Sequence, residues 1–128
     1  MAESFQRERV FINCSNHPSV QWGEEQKKAA ANYGKIVDYP FPEVDPSWTT
    51  EQIYELAEQV CGEMAECHPA IVMCQGEFTL AFAIISRLKA EGIPVVAACS
   101  RRSVEEVIQE DGSVQKKSSY HFEGFREY

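Results

Sequence analysis

Val10-Phe11-Ile12-Asn13-Cys14-Ser15-Asn16-His17-Pro18 is the stretch that decides how this chain reads. Residues 9–13 form a short strand with apolar side chains at successive positions, as a central strand covered on both faces requires. The strand runs directly into amide, hydroxyl and imidazole groups, and Pro18 closes the stretch. In an α/β chain, a polar loop at the end of an early strand is where a ligand is usually held. The pattern recurs at Ile71-Val72-Met73-Cys74-Gln75-Gly76-Glu77 and at Val95-Val96-Ala97-Ala98-Cys99-Ser100-Arg101-Arg102. Three polar loops at three strand ends are expected to converge on one edge of a parallel sheet.

Working outward, Pro18 and Ser19 precede a helix expected at about 22–33, with Trp22, Ala29, Ala30 and Tyr33 inward and Gly34 as its left-handed stop. Strand two is 35–39, and Pro40, Pro42 and Pro46 make the next stretch an extended loop. Thr49 and Gln52 fit a capping box, and Ile53, Leu56, Ala57, Val60, Cys61 and Met64 form one stripe at helical spacing. Pro69 ends that helix, and 70–74 is strand three. A third helix, 78–91, is apolar nearly all round, which predicts burial within the domain or against a second subunit. Gly92 ends it, 93–99 is strand four, and Asp111-Gly112 is a turn signal for a hairpin of 103–110 with 113–128. The expected architecture is α/β. It is a small Rossmann-like three-layer parallel sheet (βαβαβαβ) with a C-terminal antiparallel β-hairpin, residues 1–128 forming one domain.

Composition narrows the partners. The 128 residues carry 44% hydrophobic and 25% charged residues, the balance of a globular domain with its own core. No apolar run reaches the roughly 20 residues that span a bilayer. The N-terminus lacks a signal core, so a cytoplasmic protein without membrane contact is expected. A net charge of −8 argues against duplex nucleic acid as a partner. It leaves room for a small anion, since local donors outweigh the global field at short range. The five cysteines (Cys14, Cys61, Cys67, Cys74, Cys99) are odd in number and lack CxxC spacing, which suits small core residues in a reducing compartment. His17, His68 and His121 are scattered without metal-ligand spacing, so no metal and no cofactor are expected.

The three loops offer the chemistry. Asn13, Ser15, Asn16 and His17 suit phosphate, ribose or a base edge, although Ser and Asn at such places also cap turns. Gly76 permits close backbone approach, and Gln75, Glu77 and Thr79 flank a helix start. Glu77 there either complements the helix dipole or binds a ribose hydroxyl; Thr79 caps or reaches a phosphate. Neither a P-loop nor a GxGxxG pattern is present. Ser100, Arg101 and Arg102 bring the only adjacent arginines in the chain, suited to bidentate phosphate contact or to a solvated corner.

Asn13 to Pro18, Trp22, Gln26, Tyr33-Gly34-Lys35-Ile36-Val37-Asp38, Pro40-Phe41-Pro42, Gln75-Gly76-Glu77 and Ser100-Arg101-Arg102 together resemble the stand-alone relatives of the CRISPR-associated Rossmann-fold (CARF) sensor domains. The resemblance implies a homodimer whose two-fold axis carries a pocket for a cyclic oligoadenylate, and the ring nuclease activity of some such proteins. That chemistry is metal-independent: a ribose 2′-hydroxyl attacks its own 3′-phosphate. Carried onto this chain, 13–17 would hold phosphate and ribose, and Gly76 and Thr79 would line the ligand. Arg101 or Arg102 would neutralise charge, and His17 would move the proton. The alternatives are a non-catalytic nucleotide sensor or sponge, another small Rossmann-like protein for a nucleotide or phosphorylated metabolite, and an interaction protein that uses helix three.

Overall fold

The computed structural model describes residues 8–128. The first seven residues, part of the segment judged to lack a signal core, lie outside the described residues. Strand β1 (Val10–Cys14) leads through a 3-10 turn (Ser19–Gln21) to helix α1 (Glu24–Ala31) and β2 (Lys35–Asp38). Then come α2 (Thr50–Glu66), β3 (Pro69–Cys74), α3 (Phe78–Ala90), β4 (Val95–Ile108) and β5 (Val114–Glu127). The chain is α/β with one mixed five-stranded sheet, ordered β2-β1-β3-β4-β5. The first four strands are parallel, and β5 runs antiparallel to β4 within the same subunit.

Alternation along β1 builds two cores. Ile12 and Cys14 join Val72, Cys74 and Val95 under α2 and α3, with Ala57, Val60, Met64, Leu80, Ile84 and Leu88. Phe11 turns to the other face, with Trp22, Ala30, Ile71, Met73 and Val96. Removing a side chain such as Phe11 wholly from water is worth about 2–3 kcal/mol, so this central strand contributes on both faces. The capping box of α2 forms as expected: Thr49 Oγ1 accepts from the Gln52 N–H at 3.2 Å, and Gln52 Oε1 accepts from the Thr49 N–H at 2.7 Å.

Three expectations change. The first helix is shorter than 22–33, because the stretch before it turns as a 3-10 element and Gly23 supplies no side-chain cap. Helix α3 is not enclosed within the subunit, so of its two expected settings the first does not hold. Its inner face buries Leu80, Ala81, Ala83, Ile84 and Leu88, while Phe78 and Phe82 stand 89% and 70% exposed. Strand four does not stop at Cys99. Ser100-Arg101-Arg102 stays in β4, which runs on to Ile108, so the separate hairpin strand is a continuation of the same strand. A polar triplet reads as a loop, but β5 pairs with it on one side and water accepts both faces, so the strand needs no apolar side there. A register shift between Cys99 and Ser100 marks the passage from sheet to ribbon.

No helix among the described residues is long and apolar enough to cross a membrane. Gly34 stands at φ +146°, and a β-carbon there would collide with the main-chain carbonyl of Arg9 just before β1. Gly34 therefore serves the close approach of β2 to β1 rather than a left-handed helix stop. Gly34→Ala is expected to lower stability by about 2 kcal/mol or more, read as a lower urea midpoint at unchanged m-value.

Candidate functional site

Because β1 leads to β2 on one side while β3 leads to β4 on the other, the loops after β1 and β3 diverge at the carboxyl edge of the sheet. A cleft of about 870 Å³ opens there, on the α1 face. The β1 loop (Ser15, His17), the end of the 3-10 turn (Gln21, Trp22), the start of α1 (Glu24, Glu25, Gln26), Gln75 after β3, and the ribbon (Ser100, Tyr120, His121, Phe122) all line it.

The β1 loop is built around Asn13, only 1% exposed in the sheet. Its amide donates to the His17 carbonyl at 2.9 Å and to Asp38 Oδ1 at 3.0 Å. Its own oxygen accepts from the Ser15 hydroxyl at 2.6 Å. Trp22 Nε1 donates to the same His17 carbonyl at 3.1 Å. Asp38 also accepts from the Ser19 N–H and hydroxyl. Asn13 therefore has no amide to offer a ligand; it positions His17. Ser15 lines the cleft but spends its hydroxyl on Asn13, and Asn16 lies in a smaller cavity of about 240 Å³ with Pro18, Asp38 and Pro40.

Gln75 Oε1 accepts from the Ala98 N–H at 2.8 Å, so this side chain bridges to β4 where β3 ends. Gly76 gives close approach to protein rather than ligand: a β-carbon there would meet the Phe41 ring at 2.5 Å. Glu77 is the N-cap of α3, accepting from the Leu80 N–H at 2.8 Å and the Thr79 N–H at 3.1 Å. The Thr79 hydroxyl is also directed to Glu77, at 2.7 Å. These bonds to the Leu80 amide first, then to Thr79, hold the Glu77 carboxyl below its ordinary range. Glu77 is the helix cap and Thr79, in the first turn, donates to it; neither lines the cleft.

Arg101 and Arg102 also fall outside the cleft lining. Arg101 Nε sits 3.0 Å from Glu123 Oε1, and Arg102 donates to the Ser118 hydroxyl at 3.1 Å. Among the described residues no lysine or arginine lines the cleft, whereas Glu24 and Glu25 do. Cys14 is buried on the opposite face, and a hydrogen bond with it, followed by burial, pushes the Cys74 thiol far above its ordinary range. No group of His, Cys, Asp and Glu among the described residues is placed to hold a metal ion.

The clearest omission from the sequence reading of the site is the ribbon. Tyr120, His121 and Phe122 enter the cleft because β5 returns along β4. Asp111-Gly112 marks the turn, but the loop spans three residues, 110–112, with Gln109 opposite Ser113, so the register with 100–102 is one residue off that of a two-residue turn.

The family model described as "Uncharacterized protein MJ1673 family" matches residues 9–126, and the chain belongs to that family. No curated protein and no solved structure matches it.

Asn13→Ala is expected to cost about 1–3 kcal/mol by removing from a buried position the bonds to the His17 carbonyl, Asp38 and the Ser15 hydroxyl, measurable in urea melts. Glu77 stabilises the fold through a carboxyl titrating below its unfolded value. The stability gap between the wild type and Glu77→Gln should therefore be full above about pH 5 and close as pH falls through the depressed range, read from melts at stepped pH.

Proposed function

We propose that this member of the MJ1673 family binds a cyclic oligoadenylate in the cleft at the carboxyl edge of its sheet and cleaves it without a metal. In this reading the fold is a doubly wound, Rossmann-like domain of the CARF type, acting as a homodimer in the cytoplasm. The observation that carries the reading is one cleft lined by two imidazoles, three aromatic rings and three amides: His17 and His121, Trp22, Tyr120 and Phe122, and Gln21, Gln26 and Gln75. Aromatic faces stack on bases at about 1–3 kcal/mol each. Amides read base edges, and imidazole is the side chain suited to moving protons near neutrality.

The step balances within the ligand. One imidazole takes the proton of a ribose 2′-hydroxyl as its oxygen bonds to the adjacent phosphorus. The bond from phosphorus to the 5′-oxygen breaks, and the second imidazole gives that oxygen a proton. The products are a 2′,3′-cyclic phosphate and a free 5′-hydroxyl. Arg101 stands opposite His121 across the ribbon. Its pair with Glu123 is largely exposed and worth about 0–1 kcal/mol, so a phosphate can displace that carboxylate at little cost.

One observation favours a second reading, in which the protein senses or sequesters the nucleotide without cutting it. Glu24 and Glu25, rather than a cation, stand at the cleft. Incubation with cyclic tetra- and hexa-adenylate in EDTA separates the two. Linear products ending in a cyclic phosphate support cleavage, binding without turnover selects the second reading, and no binding of either ring overturns both. If cleavage occurs, His17→Ala and His121→Ala should each slow it at least about tenfold, or about 1.4 kcal/mol.

A further inference from the structure

β4 outruns its parallel neighbour. Its register with β3 covers Val72–Val95 and Met73–Val96, and β3 ends at Cys74. The Gln75 side chain takes up the Ala98 N–H. From Ser100 to Ile108 the strand is paired by β5 alone, and nearly every residue of this ribbon is exposed. Such a two-stranded ribbon is marginal in water, and its free edge is a template for another strand.

Protective edge charges usually repel any incoming strand. On β4 the sign reverses along the edge, as Arg101-Arg102-Ser103-Val104-Glu105-Glu106. We propose that a second copy of this chain pairs antiparallel along the free edge of β4, with the two-fold axis at Val104. Strands related by a two-fold normal to their sheet place one residue opposite itself, and opposite residues share a face. With Val104 on the axis, Arg102 faces the partner's Glu106 and Glu106 faces the partner's Arg102. The two valines, 52% exposed in one subunit, meet between them. On the other face, Arg101 lies diagonal to the partner's Glu105. Axes at Arg102 or Glu106 would instead set like charges against each other.

The residues involved are available for this pairing. Glu105 and Glu106 stand opposite Lys117 and Lys116 of β5, yet form no ion pair with them among the described residues. Arg102 spends one donor on Ser118 and retains the rest of its guanidinium for a carboxylate. The pairing joins two ribbons, and with them two copies of His121, in one continuous sheet.

This inference rests on the two-subunit part of the function proposed above and needs no nucleotide, so the two can fail separately. Sedimentation of the full chain without ligand should show a dimer that weakens as salt rises. Arg102→Glu and Glu106→Arg should each raise the dimer dissociation constant at least about tenfold, with unchanged circular dichroism. The double variant Arg102→Glu/Glu106→Arg should restore it, which a merely misfolded ribbon would not do. A wild type that stays monomeric into the millimolar range overturns the pairing. A dimer indifferent to both single substitutions, or one that survives them and dissociates on Phe82→Glu, overturns it as well. A dimer that binds no oligoadenylate supports the pairing and overturns only the ligand.

Discussion

Asn13 occupies the end of the central strand with its side chain sealed from water, and the carboxyl edge of the molecule is organised by how that amide is satisfied. A buried amide left without partners costs about 1–3 kcal/mol for each stranded group. Here its bonds go to Asp38 at the end of β2, to the His17 carbonyl, and to Ser15. The same arrangement fixes where the β1 loop leaves the sheet, how Trp22 approaches through its indole nitrogen, and where His17 stands. A residue type that reads as a ligand contact has become the frame that presents one.

The elements with strong local signals were legible in the sequence. The capping box at Thr49 and Gln52 and the stripe from Ile53 to Met64 describe α2 closely, since capping and helical spacing act within a few residues. The short apolar runs of β1 and β3 were equally clear, because a central parallel strand is apolar on both faces. Ser100-Arg101-Arg102 was misread for the converse reason. A two-stranded ribbon in water has no buried face to impose a pattern, so its strand looks like a loop. Gly34 and Gly76 were recognisable as special positions, but their neighbours, the Arg9 carbonyl and the Phe41 ring, come from elsewhere in the fold. Glu77 shows the limit from the other side: both roles weighed for it were chemically sound, and the amides of Thr79 and Leu80 selected the cap.

The candidate site was legible as a place more than as a set of residues. The edge that carries the cleft follows from strand order. His17, Ser15, Gln75 and Ser100 line the cleft, while Asn13, Gly76, Glu77 and Thr79 support it or cap a helix. The long-range return of β5 supplied the remaining wall. The exposed phenylalanines of α3 lie away from that cleft, along a separate groove that ends near Lys89 and Tyr128.

Gln75 carries a consequence of its own. Where β3 stops, its side-chain oxygen replaces the carbonyl that a longer strand would have offered to the Ala98 amide. The same residue lines the cleft, so one planar amide belongs both to the sheet and to the wall of the site. A group bonding to the nitrogen must accept the orientation the strand dictates, or turn the amide and loosen the root of the ribbon. Rotation of that one side chain would leave the Ala98 amide without its partner at the point where β4 outruns β3.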